Sequence, residues 1–229
     1  SKGVGKMLKI QQVENNYAKL KEVLGWSVDK RVTLALAGYY TSLEKDVDPL
    51  RFKAITETMK KKVSLFSPLR SQLQPLFTSV LDVGGQEPEK AIDQLLEKVE
   101  ELKKNSFKMN NYTYLAAIMM SDEPDKWTFE ISRATELMSA MKVHHRFLTN
   151  SDDYPYAIFL GKLEGDIITR AETMNRYYEE LKNHKFYPGN ELQSLSQVLT
   201  YTNPEYDKET VPRVVVIRDG FKSVKIKFS

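Results

Sequence analysis

The chain has 229 residues, 41% hydrophobic and 28% charged, proportions ordinary for a folded protein in water. It contains no cysteine, which excludes disulfides, a thiolate nucleophile, iron–sulfur ligation and cysteine-type zinc sites. The net charge of +3 resides in the tail, where Arg213, Arg218, Lys222, Lys225 and Lys227 face Asp219 alone; the near-neutral remainder exerts no general pull on nucleic acid or anionic membrane.

In chain order, a helix is expected from about Met7 to Leu24, ended by Gly25. Trp26 follows, and large aromatics return at Phe66, Phe107, Phe147 and Phe186, in steps of 40, 41, 40 and 39 residues. After each comes a capping residue: Ser27, Ser67 before Pro68, Asn110 or Asn111, Ser151, and Asn190. Serine and asparagine accept from the orphan N–H groups of a first turn, and proline loses nothing at the first helical position. Short, mostly apolar helices are predicted next, over 32–36, 73–81, 112–119, 154–160 and 192–199.

Acidic turns bearing proline or glycine follow at 46–49, 84–88, 122–125 and 165–166, and a longer amphipathic helix succeeds each. Ile92, Leu95, Val99 and Leu102 form one stripe. Trp127, Ile131, Ala134, Met138 and Met141 form a second, and Ile167, Ala171, Met174, Tyr178 and Leu181 a third. A period of about 40 residues with this internal order predicts an all-α, HEAT-like stack of about four antiparallel helical hairpins, an α-solenoid, over residues 1–202.

Residues 203–229 are expected to be a linker and a C-terminal β-hairpin. Residues 213–218 and 221–228 read as strands around Asp219-Gly220, a pair that favours the positive φ of a two-residue turn. Val224, Ile226 and Phe228 would share one face, docked on the helical body or paired with a second copy as a homo-oligomer.

Two motifs, Phe147-Leu148-Thr149-Asn150-Ser151-Asp152-Asp153-Tyr154-Pro155 and Gly189-Asn190-Glu191-Leu192-Gln193-Ser194-Leu195-Ser196, carry a resemblance, with Leu65-Phe66-Ser67 as a third point. Over about residues 13–202 the chain resembles a bacterial family, domain of unknown function (DUF) 4003. The resemblance implies an all-helical cytosolic bacterial protein, transfers no activity or catalytic residue, and leaves the tail outside it.

Basic residues fill the gaps before the recurring aromatics: Lys60-Lys61-Lys62, Lys103-Lys104, Lys142 with His144, His145 and Arg146, and Lys182 with His184 and Lys185. They would line one edge of a stack and suit phosphates or an acidic partner. Cations at helix C-termini also answer the helix dipole, at about 0.3–1 kcal/mol each, and that is the preferred account. His145 and His184, one repeat apart, with Asp152 and Asp153, are the weak candidates for a zinc or other divalent site. No His-Glu-x-x-His spacing supports them and capping explains the aspartates, so no metal or cofactor is assigned. Gly84-Gly85, the glycines at 3 and 5, and Ser42-x-x-Lys45 lack the context of phosphate-loop or β-lactamase-type motifs.

The polar residues of the last short helix, Asn190, Gln193, Ser194 and Gln197, are expected on the open end of the array once Leu192, Leu195, Val198 and Leu199 are buried. With Tyr154 and Tyr187 they form the candidate interaction surface, since tyrosine buries area cheaply and keeps a polar tip. The expected function is thus a non-catalytic protein-interaction or scaffolding module with an unidentified protein partner. Nucleic-acid or phosphate binding through the basic edge and tail is the alternative, and a metal enzyme on the His/Asp edge the third. No apolar run approaches the ~20 residues of a membrane span and no signal-peptide pattern opens the chain, so a cytoplasmic location is expected. The opening serine, in place of Met, suggests a trimmed tag or a truncated chain, so the true N-terminus is expected to be missing.

Overall fold

Four of the helices start where the sequence supplies a side-chain oxygen to the orphan N–H groups of a first turn. The computed structural model describes residues 2–223, which hold eleven α-helices and no strand. These are α1 (Lys2–Leu24), α2 (Lys30–Ser42), α3 (Pro49–Lys62), α4 (Gln74–Gly84), α5 (Pro88–Lys104) and α6 (Asn111–Met119). They continue with α7 (Pro124–His144), α8 (Tyr154–Gly161), α9 (Ile167–Asn183), α10 (Asn190–Val198) and α11 (Thr210–Ser223). Asp29, Asp48, Asn110 and Asp166 cap α2, α3, α6 and α9 through their side-chain oxygens. Ser27 instead lies in a short 3-10 turn, and Asn190 is already the first residue of α10.

The alternation of short and long helices follows the predicted order, as α2/α3, α4/α5, α6/α7 and α8/α9. All three stripes on the long helices α5, α7 and α9 are buried. The recurring aromatics mark the joints between helices, yet most are not core residues. Phe66 and Phe147 are 98% and 96% exposed and Trp26 is exposed as well, whereas Phe107 is buried.

The chain divides into two compact units, Ser1–Glu97 and Lys98–Ser229, and the division falls inside α5. In the first unit α1 packs on α2 and α3, and α4 packs on both of these. Leu20, Leu36, Ala37, Tyr40, Val47 and Phe52 form its core. Buried Asn16 donates to Thr41 Oγ1 (3.2 Å) and Lys45 O (3.0 Å) and accepts from Val47 N (2.9 Å), which fixes the α2–α3 turn to α1. Tyr40 OH donates to Asp82 Oδ2 (2.6 Å) and Arg51 Nε to Asp82 Oδ1 (2.8 Å), so one carboxylate joins α2, α3 and α4.

In the second unit α7 packs on α8 and α9, α6 on α8, and α9 on α10 and α11. A Cβ at Gly161 would lie 3.1 Å from the Ala134 backbone nitrogen, so the α7–α8 approach needs a glycine there. Arg133 donates to the carbonyls of Gly161 (2.5 Å), Leu163 (3.1 Å) and Gly165 (2.9 Å), binding the α8–α9 loop to α7. Arg170, 1% exposed, donates to Thr200 O and to Glu164 O (3.0 Å), and burial lowers its pKa from the ordinary value.

The expected C-terminal β-hairpin is absent. Its first strand and its Asp219-Gly220 turn are helical, in α11; Val224, Ile226 and Phe228 lie outside the described residues. Val211 is buried and Val214 and Val215 pack with it against Tyr177, Tyr178, Leu181 and Leu192. Positions 211, 214 and 215 share a helical face, whereas a strand would send 214 and 215 to opposite sides. The homo-oligomer expected through the hairpin loses its basis with it.

Candidate functional site: a glutamine–aspartate–histidine cluster

In the second unit the end of α7, the start of α8 and one face of α10 meet around one carboxylate. His145 follows α7 directly; its N–H donates to Met141 O (2.9 Å), and its carbonyl accepts from Thr149 N (3.0 Å) and Oγ1 (2.9 Å). This sets its ring against Tyr178, with centroids 4.3 Å apart. Ahead of α8, Asn150 and Asp153 form a reciprocal capping box: Asn150 Oδ1 accepts from Asp152 N (2.9 Å) and Asp153 Oδ2 from Asn150 N (3.0 Å). Gln193 and Gln197 lie one turn apart on α10 and share a face.

Gln193 Nε2 donates to both oxygens of Asp153 at 3.1 Å and to Leu148 O at 3.4 Å. Gln197 Nε2 donates to Asp153 Oδ1 at 2.5 Å. Asp153 is buried, and among the described residues amide N–H donors alone surround it, with no cation. Both glutamines thus turn their NH2 groups towards the carboxylate oxygens, which accept. Gln193 Oε1 then faces His145 Nδ1 at 3.1 Å, and as an acceptor it requires the proton on Nδ1. Asp153 thereby sets the tautomer of His145 through Gln193.

Sequence reasoning singled out His145, Asp153, Gln193 and Gln197, but under two separate headings; the structure brings them into one cluster. It places the other candidates elsewhere. His184 is exposed after α9, and Asp152 is half-buried beside the cluster. Among the described residues no three of His, Cys, Asp and Glu gather in a group that could hold a metal. Tyr154 is buried against Phe107 (centroids 4.5 Å apart), its hydroxyl accepting from Lys108 N at 3.2 Å. Tyr187 and Asn190 are exposed and Ser194 is half-buried. Gln193 and Gln197 are buried, not on an open end, because α10 turns Leu192, Gln193, Ser196 and Gln197 inward and leaves Val198 exposed. The available signal was the spacing of two glutamines one turn apart on a short leucine-rich helix.

Four of the nine lysines and arginines of the basic gaps pair within their own helices, and Lys62 pairs with Asp93 of α5 (2.8 Å). Lys60 pairs with Glu57 (3.5 Å), Lys103 with Glu100 (3.8 Å), Lys104 with Glu101 (3.3 Å) and Lys182 with Glu179 (2.6 Å). Lys142, Arg146 and Lys185 are exposed and form no ion pair among the described residues. They flank the joints after α7 and α9, where Phe147 and Tyr187 are 96% and 91% exposed.

An all-helical chain of paired helices, with a buried polar cluster and aromatic joints, is the class that fold and site define. The chain belongs to the family described as Protein of unknown function (DUF4003), whose model matches residues 16–229. The match runs through α11, beyond the stretch where the resemblance was expected to stop. The chain is also similar to Uncharacterized protein YeaA of Bacillus subtilis (strain 168), 25% identical over 213 residues, covering 91% of this chain and 64% of that protein. It thus spans about 64% of that relative's length. No solved structure matches it.

Proposed function

We propose that the chain is a non-catalytic protein-interaction module whose contact edge in the second unit is the pair of joints after α7 and α9. The observation that supports this is the exposure of Phe147 and Tyr187 on anchored loops. The neighbouring Leu148 and Phe186 both pack against the cluster of Tyr177, Tyr178, Leu181 and Leu192. Aromatics held outward at fixed joints lose little freedom on binding and fit the role of interface anchors. Lys142, Arg146 and Lys185 around them select a partner with an acidic surface and apolar pockets. Asn190 and Ser194 extend the same edge, and Trp26 and Phe66 stand at equivalent joints of the first unit. A HEAT-like stacking of the helix pairs suits such a module. Intrahelical pairing of Lys60, Lys103, Lys104 and Lys182 favours this reading over phosphate or nucleic-acid binding.

The test compares the wild type with a Phe147→Ser/Tyr187→Ser variant and a Tyr201→Ser control as bait in lysate of the source cell. Proteins retained by wild type and control but lost by the double variant support the reading. Identical retention by all three contradicts it. Retention that falls steeply with salt and vanishes on nuclease treatment would transfer the edge to nucleic acid.

A further inference from the structure

In the first unit α1 and α2 turn Leu20, Leu36, Ala37 and Tyr40 into the core. On the other side of α2, Leu34 and Gly38 stand one turn apart and border a groove against α1. Two recesses lie there, of about 600 and 350 Å³, and both reach Val13 of α1. The larger runs past Ile10, Gly38 and Ser42, the smaller past Tyr17 and Leu34. Residue numbers rise on α1 as they fall on α2, so the recesses are two stretches of one groove between antiparallel helices. From Lys2 to Tyr17 it follows α1 for about 22 Å, at about 1.5 Å per residue.

The floor of the groove is apolar and uncovered: Ile10 and Leu34 are 53% and 54% exposed, and Val13 and Tyr17 are half-buried. A Cβ on Gly5 or Gly38 would meet nothing within 4 Å, so packing inside the unit requires neither glycine, although each costs its helix about 1 kcal/mol against alanine. Both leave room for a close approach from outside. The rim is basic. Lys2, Lys6 and Lys9 border the larger recess and Lys30 the smaller, and none of the four forms an ion pair among the described residues. Arg31 is held by Asp29 (2.9 Å), and Glu14 alone among the described residues bordering the groove is acidic.

An apolar floor between unpaired cations selects an amphipathic partner with acidic flanks. It also selects a helix. Both walls are helices with their backbone groups already paired, and no strand edge exists among the described residues. An extended peptide would therefore lay unpaired N–H and C=O groups over the floor. A helix pairs its own, and its side chains at i, i+3, i+4 and i+7 fit between the ridges of α1 and α2.

We infer that this groove docks an acidic amphipathic α-helix of a partner protein, its apolar stripe on the floor around Leu34 and its carboxylates facing the lysine rim. The groove shares no residue with the joints of the second unit, so either reading can fail without the other.

Fluorescence anisotropy of a labelled model peptide, with leucines at i, i+3, i+4 and i+7 and glutamates between them, tests this on the full chain. Expected is saturable one-to-one binding, a gain of peptide helicity, and no binding of a counterpart with lysines for glutamates. Leu34→Glu puts a good helix former at an exposed site and keeps the fold. It should weaken binding roughly tenfold or more while the melting temperature stays put. Lys6→Glu/Lys9→Glu should move the preference from the acidic to the basic peptide. A wild type that binds neither peptide, or both alike, overturns the inference. So does binding that Leu34→Glu leaves unchanged. A chain that sediments as a dimer and is split by Leu34→Glu would give the groove to a second copy and overturn it too.

Discussion

Gln193 Nε2 sits 3.1 Å from each carboxylate oxygen of Asp153, 40 residues earlier in the chain. The contact ties the N-terminus of α8 to the middle of α10. Asp153→Ala would strand the amides of Gln193 and Gln197 and remove half of a capping box. A loss of about 2–4 kcal/mol in a urea unfolding curve is expected from unsatisfied buried donors and a lost cap. Asp152→Ala, outside the cluster, should cost under about 1 kcal/mol. Equal losses for the two would contradict this account.

In the first unit, Tyr40 OH shares Asp82 with Arg51. Burial above all, and then the hydrogen bond to Asp82, raise the pKa of Tyr40 well above its ordinary value of 10.0. A raised folded-state pKa means that the unfolded chain ionises first, so this contribution is complete below about pH 10 and declines as pH rises further. Tyr40→Phe should cost about 1–2 kcal/mol at neutral pH. It should also flatten the fall in stability above about pH 10. Parallel wild-type and variant curves over that range would refute the link.

Gly161 lies in α8, where alanine ordinarily improves a helix by about 1 kcal/mol. Its new Cβ would press on the Ala134 backbone nitrogen at 3.1 Å, and backbone yields poorly. Gly161→Ala should therefore destabilise, by about 1–3 kcal/mol as overpacked sites do. A higher melting temperature would show that α7 and α8 do not approach so closely.

Gly220 gives the opposite case. It lies inside α11, and a Cβ added there would meet nothing within 4 Å, so Gly220→Ala should add helicity and about 0.5–1 kcal/mol. In a hairpin turn with positive φ the same change would be a loss. Circular dichroism and thermal melting of the pair decide between them.

Much of the fold was legible because capping and periodicity are local. Asp48-Pro49, Asn110 and Asp166 announce α3, α6 and α9, and the stripes on α5, α7 and α9 are the buried faces. The tail misled because Val214, Val215 and Val216 favour strands locally and Asp219-Gly220 mimics a hairpin turn. Packing of Val211, Val214 and Val215 against α9 and α10 outweighs that preference. The site was half legible. His145 and Asp153 stood out by chemistry and Gln193 and Gln197 by polarity, but their union depends on α10 facing inward, a tertiary choice that no short spacing encodes. Arg170, buried without a carboxylate, left no mark at all.

The most direct test of the cluster is the protonation pattern of the His145 ring, read from long-range proton–nitrogen correlations at about pH 8.5, well above the ordinary imidazole value. The arrangement of Asp153, Gln193 and Gln197 predicts a proton on Nδ1 and a bare Nε2 in the wild type, with the preference lost in Gln193→Leu. A proton on Nε2 in the wild type would contradict it.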